Sequence, residues 1–194
     1  MKTYSFFAML SRMKYINRWG LMRNVRSENI SEHSLETALI AHALAIIGNK
    51  RLGKNFDPER AATLAIFHDV TEIITGDLPT PVKYHSPEIR KAYGEVEKLA
   101  AERLVNMLPE DMQEDYAKLL ADHDEDEVYA PIIKAADKIS AVIKCMEEKN
   151  SGNHEFTRAE ETLRDAVKKL QLPEADIFME EFLPAFALTL DELE

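Results

Sequence analysis

The sequence predicts an all-α fold, a single helical bundle, on three observations. Its 194 residues hold only 6 glycines among repeated Ala-, Leu-, Glu- and Lys-rich stretches, which favour helix. Apolar residues recur at three- and four-residue spacing in segment after segment, with no competing strand-length alternation. No Ser/Gly/Pro-rich linker, repeat period or low-complexity tract divides the chain, so residues 1–194 read as one domain, long enough to bury a core.

Phe6, Phe7, Met9, Leu10, Met13 and Ile16 predict a first amphipathic helix ending near Arg18-Trp19-Gly20. Ser31 is the expected N-cap of a long second helix, with Glu32 in its positive first turn and Leu35, Ala38, Leu39, Ala43, Ile46 and Ile47 facing a core. Asp57 and Pro58 supply the N-cap and first-turn proline of a third helix, expected to carry His68, Asp69 and Glu72. Gly76 ends it in a left-handed conformation, and Pro79 and Pro81 stiffen the loop beyond. Pro87 opens a helix reaching about Leu108, marked by Ile89, Val96, Leu99, Leu104 and Val105, and Pro109 closes it. Residues 109–130 hold a shorter helix and an acidic, solvated turn. From Pro131 a helix runs apolar nearly all round apart from Lys134, Asp137, Lys138 and Lys144, as a central helix does. Two more helical patterns lie near 156–170 and 174–193.

A formal net charge of -11 argues against binding to nucleic acid polymers, which depends on lysine and arginine at phosphates. The charge is uneven, however. Residues 1–26 carry Lys2, Arg12, Lys14, Arg18, Arg23 and Arg26 and no acid. That basic start is either a face that docks on the acidic body or a local anion site. It lacks the serines of a transit peptide, and no apolar run is long enough to span a bilayer, so a cytoplasmic protein is expected. Cys145, the sole cysteine, reads as a buried inert thiol.

His68, Asp69 and Glu72 are the first sign of chemistry. On a helix they converge, among apolar neighbours, where each uncompensated charge costs several kcal/mol. A divalent cation would compensate them, since it takes neutral imidazole and ionised carboxylate as ligands. Two adjacent ligands are too few for a catalytic site. His33, one turn into the second helix, and Asp137, within the apolar central helix, complete a set of four. Two nitrogens and two carboxylates suit one transition metal (Co, Mn, Zn, Fe or Ni) better than calcium. His42 is expected on the inner side of its helix as a core residue or beside a ligand, and His154 at the surface. His85 and His123 are expected at the surface too, though they leave a second metal open.

The order His33, His68-Asp69, Asp137 resembles the HD-domain superfamily of metal-dependent phosphohydrolases. Residues 17–34 (NRWGLMRNVRSENISEHS), 68–84 (HDVTEIITGDLPTPVKY) and 134–148 (KAADKISAVIKCMEE) closely resemble its bacterial 5'-deoxynucleotidases, and the likeness spans almost the whole chain. The resemblance implies hydrolysis of deoxyribonucleoside 5'-monophosphates by a homodimer. Arg18 would orient the phosphate, Asp77, Leu78, Pro79 and Thr80 would hold the sugar, and His33 and Asp69 would adjoin the substrate. Asp77 would accept from the 3'-hydroxyl, and Trp19 would wall off a 2'-hydroxyl.

Alternatives stay open at this level. Glu72 either moves a proton or orients His68; Trp19 is either that wall or a core residue; the apolar C-terminal segment is either a dimer interface or core. A related phosphohydrolase acting on deoxynucleoside triphosphates, cyclic dinucleotides or guanosine polyphosphates is the rival activity. A metal-stabilised binding module is the non-enzymatic rival, but it would have no use for Arg18, Glu72 or Asp77.

Overall fold

A computed structural model describes residues 3–83, 85–120 and 124–193. Among them the chain is helical: α1 (Phe6–Leu10), α2 (Ile30–Arg51), α3 (Pro58–Phe67), α4 (Glu72–Thr75), α5 (Thr80–Lys83), α6 (Pro87–Val105), α7 (Glu110–Leu120), α8 (Ala130–Asn150), α9 (Thr157–Lys169) and α10 (Pro173–Glu181). Short 3-10 turns extend several ends, and the described residues form no strand. None of the helices is long and apolar enough to cross a membrane. Lys2, His123 and the Thr80 side chain lie outside the described residues.

Two apolar clusters build the interior. The larger joins α2, α3, α8, α9 and α10 through residues such as Leu44, Ala65, Ile139 and Phe178. A smaller one joins Phe6, Met13, Ile30, Val70, Leu104 and Leu108. Ala65 belongs to the first and Val70 to the second, so His68 and Asp69 lie on the span of chain between them.

Several sequence expectations change. Asn29, not Ser31, caps α2: its side chain accepts from the N–H groups of Ser31 and Glu32, and the Glu32 carboxylate accepts from the Asn29 N–H. This reciprocal box satisfies donors that a helix start leaves free. Leu35 and Leu39 are 60% and 65% exposed, Ile46 and His42 point outward, and Ser34, Thr37, Ala41 and Ala45 line the inner face instead. A helix with apolar side chains on both faces gives no signal of which one is buried. Ile89, Val96 and Leu99 of α6 are likewise exposed, while Ala100, Ala101 and Leu104 pack inward. The first predicted helix divides into α1 and a 3-10 turn over Ser11–Tyr15.

The largest departure concerns the third helix. It ends at Phe67, and residues 68–71 form a turn with bonds from Val70 N–H to the Phe67 carbonyl and Glu72 N–H to the Asp69 carbonyl. The turn keeps a right-handed backbone, with His68 at φ -61 and ψ -35, so the chain tightens without reversing. Gly76 then takes φ 75 and ψ 160, a region essentially reserved for glycine rather than the expected left-handed helical cap.

Candidate active site

Three elements bring the titratable side chains together. His33 comes from the second turn of α2, His68 and Asp69 from the α3–α4 turn, and Asp137 from α8. His33, His68 and Asp69 each offer an atom within 4.8 Å of the others. Asp137 reaches this trio through His33, its Oδ1 standing 3.2 Å from His33 Nε2. Asp69 Oδ2 is 3.5 Å from the same nitrogen and 3.2 Å from His68 Nε2.

The imidazoles are oriented from behind. His68 Nδ1 lies 2.6 Å from the Ala65 carbonyl and donates to it, which turns Nε2 toward Asp69. Nε2 is buried and aligned for no hydrogen bond. A bare nitrogen lone pair facing a carboxylate oxygen is repulsive, so a positive charge must lie between them: a proton or a metal cation. His33 repeats the arrangement, its Nδ1 3.1 Å from Ser140 Oγ, which in turn donates to Glu36 Oε2 at 2.5 Å. His33, His68 and Asp69 therefore suit a divalent cation by orientation as well as by donor type, with Asp137 beside His33.

Electrostatics agree. Burial alone would push His68 down, but the Asp69 carboxylate outweighs it and raises the imidazole to about 9. Burial lowers His33, against the pull of Asp137. Asp69 and Asp137 are both held below the usual carboxylate range, burial being overcome by the facing histidines. Glu72 behaves oppositely: burial, with repulsion from Asp69 and Asp77, lifts it to about 9, and its Oε2 has no hydrogen-bond partner. A buried acid holding its proton this strongly is suited to proton transfer.

Among the described residues of the basic start, Arg18 alone turns into this centre. Its guanidinium spans Glu28, with Nη1 3.1 Å from Oε2, and Asp137, with Nη2 3.9 Å from Oδ1. Arg23 instead docks on Glu155 at 2.7 Å, and Arg26 faces Glu32 at 3.6 Å. The basic segment thus docks on acidic side chains through Arg23 and Arg26. Trp19 is half-buried, tilted on Phe156 at 5.3 Å between ring centroids. Asp77, Leu78 and Pro79 form a half-buried loop beyond Gly76. The Trp19 backbone N–H faces the Asp77 carboxylate, and Tyr93 Oη braces the loop by donating to Thr75 Oγ1 at 3.0 Å and to the Gly76 carbonyl. His85 and His154 are exposed.

Sequence reasoning missed Glu28, Glu36, Ser140, Tyr93 and Glu148. In α8, Asp137, Ser140, Lys144 and Glu148 recur at three- and four-residue spacing, a polar stripe running between the buried apolar residues of the helix. The lower half of that stripe holds the loop of residues 18–28. Lys144 donates to the Arg26 carbonyl and to Glu148, and Glu148 accepts from the N–H groups of Val25 and Arg26 and from Asn153 Nδ2.

Glu148 is only 2% exposed. Burial pushes its pKa up, but Lys144 and the other donors outweigh that and take it from 4.5 to about 2. Because the folded value is depressed, the stabilisation is full above about pH 4.5 and disappears as pH falls toward 2, an acid-labile contribution of about 3 kcal/mol. Thermal midpoints measured from pH 6 to 2 are expected to fall less steeply in Glu148→Gln than in the unmodified protein; parallel curves would contradict this latch.

The 5'-deoxynucleotidase YfbR-like family model matches residues 5–186. A 5'-deoxynucleotidase of Vibrio parahaemolyticus is 51% identical over 193 residues, covering 100% of both chains. An HD-domain phosphohydrolase from Listeria innocua superimposes with a TM-score of 0.81 at 24% identity, over 94% of this chain and 88% of its own. The cyanophage S-2L HD phosphohydrolase, described as bound to dA and one catalytic Zn2+ ion, gives a TM-score of 0.66 at 19% identity, over 91% and 95%. At those identities the structural likeness speaks for the HD-domain bundle alone. With the family model spanning nearly the whole chain and a relative matching it from end to end, the chain belongs to the YfbR-like 5'-deoxynucleotidase family.

Proposed function

We propose that the chain, acting as one domain over residues 1–194, is a metal-dependent phosphomonoesterase that converts 2'-deoxyribonucleoside 5'-monophosphates and water to deoxynucleoside and phosphate. The observation that carries this reading is a half-buried arginine beside a His/Asp centre: Arg18 Nη2 and His33 Nε2 approach the same oxygen of Asp137, at 3.9 and 3.2 Å. Arg18 would thus hold the phosphate beside the cation, as hydrolysis of a phosphate ester requires. The Vibrio relative bears the name of this activity, and the cyanophage neighbour is described with a deoxynucleoside and zinc.

His33, His68, Asp69 and Asp137 would hold one divalent transition metal, from among Co, Mn, Zn, Fe and Ni. When bound, it supplies the positive charge that acidifies water and offsets charge growing on the phosphoryl oxygens. The side chains do the rest. Arg18 aligns the phosphate with its planar donor fork, already fixed by Glu28. As the P–O5' bond breaks and water's oxygen joins phosphorus, Glu72 passes a proton to the departing 5'-oxygen and regains one from the attacking water. Asp77, Leu78, Pro79 and Thr80 bound the sugar, with Asp77 accepting from the 3'-hydroxyl, while the Trp19 ring excludes a 2'-hydroxyl.

A phosphate-release screen over ribo- and deoxyribonucleotides tests this reading, using chelator-treated protein with Mg, Mn, Co or Zn restored singly. Release from deoxynucleoside monophosphates with a transition metal is expected; tripolyphosphate from a triphosphate, or no release at all, would replace the reading. Trp19→Ala is expected to narrow the deoxyribo-over-ribo preference in kcat/KM roughly tenfold, the discrimination a shaped pocket supplies. An unaltered preference would remove Trp19 from sugar selection.

The same reading takes the protein as cytoplasmic and homodimeric. Leu35, Leu39 and Ile46 of α2 and Val96 and Leu99 of α6 leave apolar surface exposed, which a second copy would cover. A single monomeric species in sedimentation equilibrium at micromolar concentration would withdraw the dimer.

A further inference from the structure

Arg18 and Trp19 precede the bundle's first long helix, and the side chain of one residue holds both. Glu28 Oε2 accepts from Arg18 Nη1 at 3.1 Å and from Trp19 Nε1 at 2.8 Å. Glu28 is 9% exposed, so neither bond meets much competition from water. The placement arises from the backbone. Asn17 and Asn29 form an isolated antiparallel bridge, Ile30 N–H donates to the Ile16 carbonyl at 3.0 Å, and Arg18 N–H to the Glu28 carbonyl at 2.9 Å. These bonds close the neck of the loop and set residue 28 opposite residue 18.

Trp19 also needs holding. Its φ is 60, a left-handed conformation that bulky side chains rarely adopt, while neighbouring Gly20 has no positive φ. A backbone state of this kind persists only when its surroundings enforce it. Here the enforcing contacts include the indole bond to Glu28, the Phe156 ring, the Trp19 N–H facing Asp77, and Met22 N–H donating to the Trp19 carbonyl at 2.9 Å.

We propose that Glu28 is a positioning residue that couples phosphate anchoring to sugar discrimination, because one carboxylate oxygen fixes the Arg18 guanidinium and the Trp19 indole together. Its consequence for substrates rests on the nucleotidase reading; its consequence for the loop does not. The neck bonds use backbone atoms alone, so a side-chain change at position 28 leaves them intact.

Two substitutions separate the roles. Glu28→Gln keeps an acceptor for the indole but loses the charge facing Arg18, whereas Glu28→Ala loses both. Trp19 is the only tryptophan in the chain, so its emission spectrum and acrylamide quenching read the loop without reference to activity. In Glu28→Gln, quenching close to that of the unmodified protein is expected, with KM for a deoxynucleoside monophosphate up about tenfold and the sugar preference retained. In Glu28→Ala, quenching and KM both rise and the deoxyribo-over-ribo ratio of kcat/KM falls about tenfold, while kcat changes far less. Unchanged quenching and sugar ratio in a folded Glu28→Ala protein would overturn the proposal; if that variant does not fold, an unchanged KM in Glu28→Gln would do so. Should the unmodified protein hydrolyse no deoxynucleotide, the activity reading falls instead, and quenching alone decides whether Glu28 holds the loop.

Discussion

Asp69→Asn is expected to lower kcat/KM at least about a thousandfold and to strip the protein of its divalent cation on dialysis, because removal of several kcal/mol of charge stabilisation has that cost. Asp69 is singled out by geometry. One of its oxygens, Oδ2, faces His33 Nε2 at 3.5 Å and His68 Nε2 at 3.2 Å, so it is the carboxylate atom shared by both imidazoles. An amide in its place has the same shape but no charge, and can turn an N–H toward the two nitrogens. Elemental analysis of dialysed protein, read beside turnover, checks both effects. His42→Ala is the matched control, since His42 points outward from α2 and should alter neither. An Asp69→Asn protein with a full complement of cation and normal turnover would leave the proposed centre without support.

Glu72→Gln is the second large effect and has a different signature. Turnover is expected to fall by a factor on the order of a hundred to ten thousand, the range for removing a general acid or base. Cation content and KM should stay where they were. The carboxyl belongs to none of the close imidazole pairs, and its Oε2 is buried without a hydrogen-bond partner. Burial, reinforced by Asp69 and Asp77, lifts it to about 9, which favours the protonated carboxyl needed to donate to a departing oxygen. Glutamine keeps the shape and cannot exchange that proton. Loss of cation together with turnover would mark Glu72 as support for His68 instead.

The elements legible in the sequence are those where charge interrupts an apolar pattern. Asp137 within the central helix and His68-Asp69 among alanines and isoleucines are conspicuous because burial without compensation is so costly. The break between α3 and α4 gives no such sign, since no glycine or proline marks residues 68–71 and the apolar spacing runs straight through them. Leu35 and Leu39 mislead for a related reason: small residues such as Ala41 and Ala45 take the inner face, where helices approach closely. Glu28 is invisible because it lies in a polar segment, RSEN, and gains its role only when the neck of the loop closes. Ser140 and Glu148 are the recoverable misses. They continue the spacing begun by Asp137 and Lys144, and an uninterrupted polar row along a buried helix is itself a sign of polar partners opposite.

That row places Asp137 and Glu148 eleven residues apart on a single rigid rod, a separation of about 16 Å at the helical rise. One end of the rod meets His33 and the other fastens the segment that follows Arg18. If the rod slides along its axis, Asp137 and Glu148 travel together by the same amount. The spacing between the carboxylate that faces His33 and the carboxylate that pins the Val25–Arg26 backbone is therefore set by helix geometry alone, and does not depend on how neighbouring helices pack.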